Sequence, residues 1–175
     1  LPKRFHLPNF QLMQVLMQAK AVSMDTETTG TEALDARLVG MSFAVEEGEA
    51  WYVPVVQDEN IVEEFRPFYE CPDILKVGQN IKYDLQVLRN YGIRLAGPMA
   101  DTMIAHYLLH PEMRHGMDYM AEIYLKYKTI HIDELIGARG KNQRSMGDLS
   151  PQEICDYACE DADITLQLKP LLEAE

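Results

Sequence analysis

Ala21-Val-Ser-Met-Asp25-Thr-Glu27-Thr-Thr-Gly30 is the stretch on which the fold of this chain turns. An apolar run opens into two acids and then into a threonine-rich loop that ends in glycine. Residues 21–26 read as a buried strand. Side chains alternate across a strand, so Asp25 and Glu27 share a face. Working outward, residues 38–46 and 50–55 read as a hairpin turning around Glu47-Gly48-Glu49. Residues 74–77 form a short apolar strand ending at Gly78, and Met99-Ala100 a brief one. Helical spacing marks Leu12, Val15, Leu16 and Ala19, with Asn9 as the expected cap. Further helices are expected over 61–69 (disturbed at Pro67), over 82–90 with Gly92 as its stop, and from an Asp101 cap through Leu109. Residues 118–126 and 132–136 read as helical as well. Ser150-Pro-Gln-Glu153 carries a capping box with proline in the first turn, so a helix runs from there to about Gln167 or beyond. Hairpin strands followed by helices indicate one α/β domain, residues 1–175, built on a mixed sheet.

The chain has 175 residues, 47% of them hydrophobic and 25% charged, as expected of a globular domain with a real core. No stretch approaches the length of a membrane span and no secretory signal opens the chain, so no membrane partner is expected. It starts at Leu1 rather than Met, which reads as an excerpt of something longer. Cys71, Cys155 and Cys159 are odd in number and form no C-x-x-C pair, which suits a reducing compartment. A net charge of −12 excludes a general nucleic-acid coat protein, whose affinity comes from a basic surface. It leaves room for an enzyme that meets a few phosphates through bound cations.

Two further segments carry acids at helical spacing. In Asn80-Ile-Lys-Tyr-Asp84 and Tyr157-Ala-Cys-Glu-Asp161 the outer residues are four apart, hence neighbours on a helix surface. If they meet Asp25 and Glu27, four carboxylates converge, and their repulsion makes sense only with cations between them. Each motif alone is weak. Acids at a strand end are usually solvated, Asp84 could simply favour a helix's first turn, and Tyr157 could be core packing. The conjunction of the three carries the argument. Other candidates fare worse: Cys155 and Cys159 lack further zinc ligands, and His106, His110, His115 and His131 show no ligand pattern. Lys76 and Lys82 flank Gly78-Gln79-Asn80 and could reach phosphate, but solvated surface is the default reading. Residues 137–147 form a basic loop with three glycines and Arg139, Lys141 and Arg144, in an otherwise acidic chain.

These residues resemble the 3′–5′ exonuclease domain of bacterial DNA polymerase I, within the DnaQ-like DEDD exonucleases. The likeness runs from about Val22 to Leu168. It takes in Asp25-Thr-Glu-Thr28, Leu38-Val-Gly-Met-Ser-Phe43, Val77-Gly-Gln-Asn-Ile-Lys-Tyr-Asp84, Asp101-Thr-Met103, His115-Gly-Met-Asp118, Lys128-Thr-Ile130, Gly140-Lys-Asn-Gln143 and Tyr157-Ala-Cys-Glu-Asp-Ala-Asp163. Tyr157, four residues before Asp161, identifies the tyrosine subclass.

The resemblance implies an RNase H-like fold, a five-stranded mixed sheet flanked by helices. It implies two divalent cations, Mg²⁺ with Mn²⁺ as a substitute. Asp25, Glu27 and Asp161 would hold the one that activates water, and Asp84 would support the second, which Asp25 bridges. Tyr157 would orient the attacking water, with Thr26, Gln79, Asn80 and Tyr83 near the terminal nucleotides. The implied partners are a single-stranded DNA 3′ end and a polymerase domain of the same longer chain, in a monomer of the bacterial cytoplasm associated with the nucleoid. The expected reaction is stepwise release of nucleoside 5′-monophosphates from single-stranded or frayed 3′ ends, which is proofreading. An RNase D-like 3′ exoribonuclease would share all four acids, and a DNA-positioning scaffold is the non-enzyme alternative. One departure stands out: relatives often place an apolar wedge where this chain has Thr31, with Leu34 three residues on.

Overall fold

The computed structural model describes residues 1–4 and 7–175. Strands β1 (Lys3–Arg4), β2 (Ala21–Thr28), β3 (Leu38–Glu46), β4 (Glu49–Pro54), β5 (Leu75–Gly78) and β6 (Met99–Asp101) form one sheet in the order β1-β4-β3-β2-β5-β6. The expected five-stranded mixed sheet is present, extended at one edge by the two-residue β1. β3 runs antiparallel to both neighbours, while β5 and β6 run parallel to β2. The hairpin turns where expected, with Gly48 at φ +83°, a left-handed conformation that glycine tolerates.

Helices cover both faces. On one side lie α1 (Asn9–Gln18), the short α2 (Ile61–Glu64) and α3 (Arg66–Tyr69), and α4 (Ile81–Asn90). Their apolar faces close over Met24, Met41, Phe43 and Val53 in the main core. Phe43 anchors it, stacked on Phe65 with centroids 5.4 Å apart and meeting Phe68 edge-on at 5.6 Å. Helix α5 (Thr102–Leu109) is capped by Asp101, whose Oδ1 accepts from the Met103 amide at 2.9 Å. Two single-turn helices, α6 (Met117–Met120) and α7 (Asp133–Ile136), lead towards α8 (Pro151–Glu173). The long α8 lies across the opposite face, over Ala44 and Ala50, and its Ser150 capping box forms as read from the sequence.

Three local readings change. Asn9 is not the cap of α1: Pro8 takes that place, and the Asn9 amide turns out to Glu64 at 2.9 Å. The helix expected over 61–69 breaks at Phe65 into two turns, with Pro67 accommodated in the first turn of the second. Beyond Met120 the backbone widens into a π-helical turn, Ala121–Leu125, ended by Lys126 at φ +53°.

Candidate active site

Strand β2 delivers its odd-numbered residues to the α8 face: the Ser23 hydroxyl donates to the Ala162 carbonyl at 2.6 Å. Asp25 and Glu27 follow on that face, and Asp161 precedes Ala162 on α8. Asp25, Glu27 and Asp161 each offer a carboxylate oxygen, all lying within 4.8 Å of one another. Asp84 arrives on α4 from the other side of β2. One of its oxygens accepts both the Thr26 amide (3.0 Å) and the Thr26 hydroxyl (2.5 Å), which ties α4 to the strand between the two acids. Tyr157, one turn before Asp161, hydrogen-bonds that carboxylate. Opposite Glu27 in the sheet stands Gly40, where a Cβ would lie 2.2 Å from the Tyr52 hydroxyl. Only glycine lets Tyr52 pack there.

The electrostatics are unfavourable for the chain alone. Burial raises the Asp25 carboxyl to about 6, partly offset by its hydrogen bond to Glu27. Burial, and then the Asp25 charge, push Glu27 and Asp84 well above the usual carboxylate range. Asp161 moves the same way for the same two reasons. Burial and the Asp161 charge hold the Tyr157 phenol protonated. One Glu27 oxygen is buried with no hydrogen-bond partner, as are the hydroxyls of Ser42, cross-strand from Asp25, and Tyr52. Buried polar atoms normally find partners, and an orphan at such a cluster marks a place that something else fills. An oxygen-only, acidic donor set with an unsatisfied carboxylate fits a hard divalent cation such as Mg²⁺.

A cleft of about 840 Å³ opens onto Glu27. One wall is Thr26, Thr28, Gly30, Asn80 and Tyr83. The Tyr83 hydroxyl donates to the Gly30 carbonyl at 2.5 Å, bracing that wall. Asn80 does not sit inside a helix as its spacing to Asp84 implied. It is the left-handed lead-in to α4 (φ +58°), held by Asp101 accepting its amide at 3.0 Å. Gln79 stays outside the cleft lining: its amide donates to the His115 carbonyl at 2.8 Å and accepts from the Thr102 hydroxyl.

The facing wall was not assigned from the sequence. Ile132, Ile136, Arg139, Gln143 and Arg144 line it, so the basic loop belongs to the site. Its charge in an acidic chain was the available signal; its position was not, because the Ser145–Thr29 contact that docks it spans 116 residues. The histidines read as patternless do meet in part. His106 and His115 approach through their Nδ1 atoms at 2.7 Å, and the His110 ring lies tilted beside His106 at 5.5 Å between centroids. Among the described residues, only the carboxylate trio brings three ligand atoms together.

A family described as 3′–5′ exonuclease matches residues 10–175. DNA polymerase I of Pseudomonas aeruginosa is 38% identical over 173 residues, an alignment covering 91% of this chain and 19% of that protein. The chain thus spans about a fifth of that relative's length. NrnC of Brucella melitensis, solved with bound Mg²⁺, superposes with a TM-score of 0.72 at 25% identity, over 98% of this chain and 78% of that one. RNase D of Escherichia coli, an exoribonuclease involved in structured RNA processing, superposes at 0.71 with 18% identity, over 99% of this chain and 44% of that one, a likeness of fold. This chain belongs to the 3′–5′ exonuclease domain family of DNA polymerase I and has the RNase H-like fold.

Proposed function

We propose that this domain shortens DNA from the 3′ end, releasing nucleoside 5′-monophosphates one at a time from single-stranded or frayed ends with two divalent cations. The observation that carries this reading is the convergence of Asp25, Glu27 and Asp161 within 4.8 Å around an unsatisfied Glu27 oxygen. Asp25, Glu27 and Asp161 would hold a divalent cation between them, and Asp25 and Asp84 would serve a second. Bound there, the cations lower the pKa of water and stabilise the leaving 3′ oxygen of an in-line displacement. Tyr157 stays protonated beside Asp161 and orients the attacking water by hydrogen bonding. Asn80 and Tyr83 flank the terminal nucleotide in the cleft, and Thr26 positions Asp84. Mn²⁺ replaces Mg²⁺, since both take oxygen ligands.

The polymerase relative, matched over a fifth of its length, supports DNA as substrate, a proofreading role, and a polymerase region as the partner in one longer chain. No helix among the described residues is long and apolar enough to cross a membrane. The test is a 5′-labelled single-stranded DNA oligonucleotide incubated with the chain in Mg²⁺ or Mn²⁺, with EDTA as control and an RNA of the same sequence alongside. The expected result is a ladder shortening by single nucleotides on DNA, lost with EDTA and in Asp161→Ala. Shortening of RNA alone would move the reading to an exoribonuclease. No shortening of either strand would leave a scaffold.

A further inference from the structure

Residues 137–147 form a preorganised arm rather than a loose loop. The Arg144 amide donates to the Ile136 carbonyl at 2.8 Å and the Gln143 side chain to the Gly137 carbonyl at 3.2 Å, closing the arm on itself. The Ser145 hydroxyl donates to the Thr29 carbonyl at 3.3 Å, docking it beside the acidic centre. Arg139, Gln143 and Arg144 then face the cleft that opens onto Glu27, with Asp133 as the one acid on their wall. Arg37 pairs with Glu59, and Arg66 with Glu63 and Glu70. Among the described residues, Arg139 and Arg144 have no carboxylate partner; Arg144 reaches only the Asp148 carbonyl at 3.3 Å.

Two guanidinium groups without a carboxylate in ion-pair contact line the cleft that opens onto Glu27, and an anion lying along the cleft would meet both. Guanidinium matches phosphate oxygens with paired donors and remains charged at any working pH. The cations of the acidic centre can neutralise the scissile phosphate, but they do not extend to its neighbours. We propose that Arg139 and Arg144 grip the phosphodiesters immediately 5′ of the scissile one, setting the affinity for the substrate strand and leaving the chemical step unchanged. This deepens the exonuclease reading and rests on it.

The test compares Arg139→Gln/Arg144→Gln with the parent chain, in Mg²⁺, on a DNA oligonucleotide and on a dinucleotide, across a salt series. On the oligonucleotide, KM should rise about tenfold with kcat little changed. Two lost phosphate contacts should flatten the slope of log KM against log salt by about 1.4, at about 0.7 per contact on a single strand. The dinucleotide has no upstream phosphodiester, so its KM should barely move. Lys141→Gln, a charge loss on the same arm outside the cleft lining, should leave both KM values unchanged. Thermal melting checks that the arm still folds. An active parent with unchanged KM and slope in the double variant would overturn the grip and spare the exonuclease reading. An equal loss from Lys141→Gln would mean diffuse charge rather than two contacts. A parent inactive on every strand would overturn both.

Discussion

Two buried charged assemblies lie on neighbouring strands, and the chain treats them in opposite ways. On β5, Lys76 is fully enclosed and pairs across the sheet with Val22, three residues before Asp25. Its ammonium donates to the carbonyls of Cys71 (2.5 Å) and Ala96 (2.7 Å) and lies 5.3 Å from the centre of the Phe68 ring. On β2, the carboxylates of Asp25 and Glu27 crowd against Asp161 with one oxygen unpartnered. Burial lowers the lysine's pKa and raises those of the acids, the same desolvation acting on opposite charges. The difference is who completes the coordination. The chain satisfies Lys76 by itself, which makes it scaffold. It leaves one Glu27 oxygen without a partner in an all-oxygen acidic cluster, a donor set that fits a hard divalent cation.

That contrast can be broken in several places. The largest expected effect is on rate: Asp161→Ala should cost about a thousandfold or more in kcat, since it removes a proposed metal ligand. Tyr157→Phe should cost about tenfold to a hundredfold, because it removes one orienting hydrogen bond and no ligand. Single-turnover assays on labelled DNA would separate the two, and equal losses would refute the assigned roles. Next come stabilities of opposite sign. Asp25, raised from 3.8 to about 6, favours the fold of the metal-free chain while protonated. That contribution is complete below about pH 4 and is lost as pH rises through about 6. Asp25→Asn should therefore stabilise the metal-free chain near neutral pH by on the order of 2 kcal/mol while abolishing activity. Excess Mg²⁺ should flatten the same pH dependence in the parent chain, as read by urea unfolding. Lys76→Met should do the reverse, destabilising by about 2 kcal/mol because two buried carbonyls lose their donor, with kcat retained.

The acids were legible because their placement is local. Residues two apart on β2 and four apart on α8 share faces whatever the rest of the chain does. The hairpin and the α8 cap were legible for the same reason. Lys76 was read as solvated surface, and wrongly: the carbonyls that hold it come from Cys71 and Ala96, segments with no sequence signal for that role. Asn80 kept its position near Asp84 but not its helical conformation, because Asp101, 21 residues later, accepts its amide. Arg139 and Arg144 were noticed for their charge, but only the docking of Ser145 on Thr29 brings them to the cleft. Long-range contacts that satisfy polar groups were what the sequence could not convey.

The most direct measurement is a count of Mn²⁺ bound, from the loss of the free-ion electron paramagnetic resonance signal, with a nucleoside 5′-monophosphate present. The parent chain should bind two ions, and Asp25→Asn, which removes the carboxylate proposed to serve both, should lose both. A parent chain that binds no Mn²⁺ at millimolar concentration, or an Asp25→Asn variant that binds as well as the parent, would contradict the claim that cations complete this acidic centre.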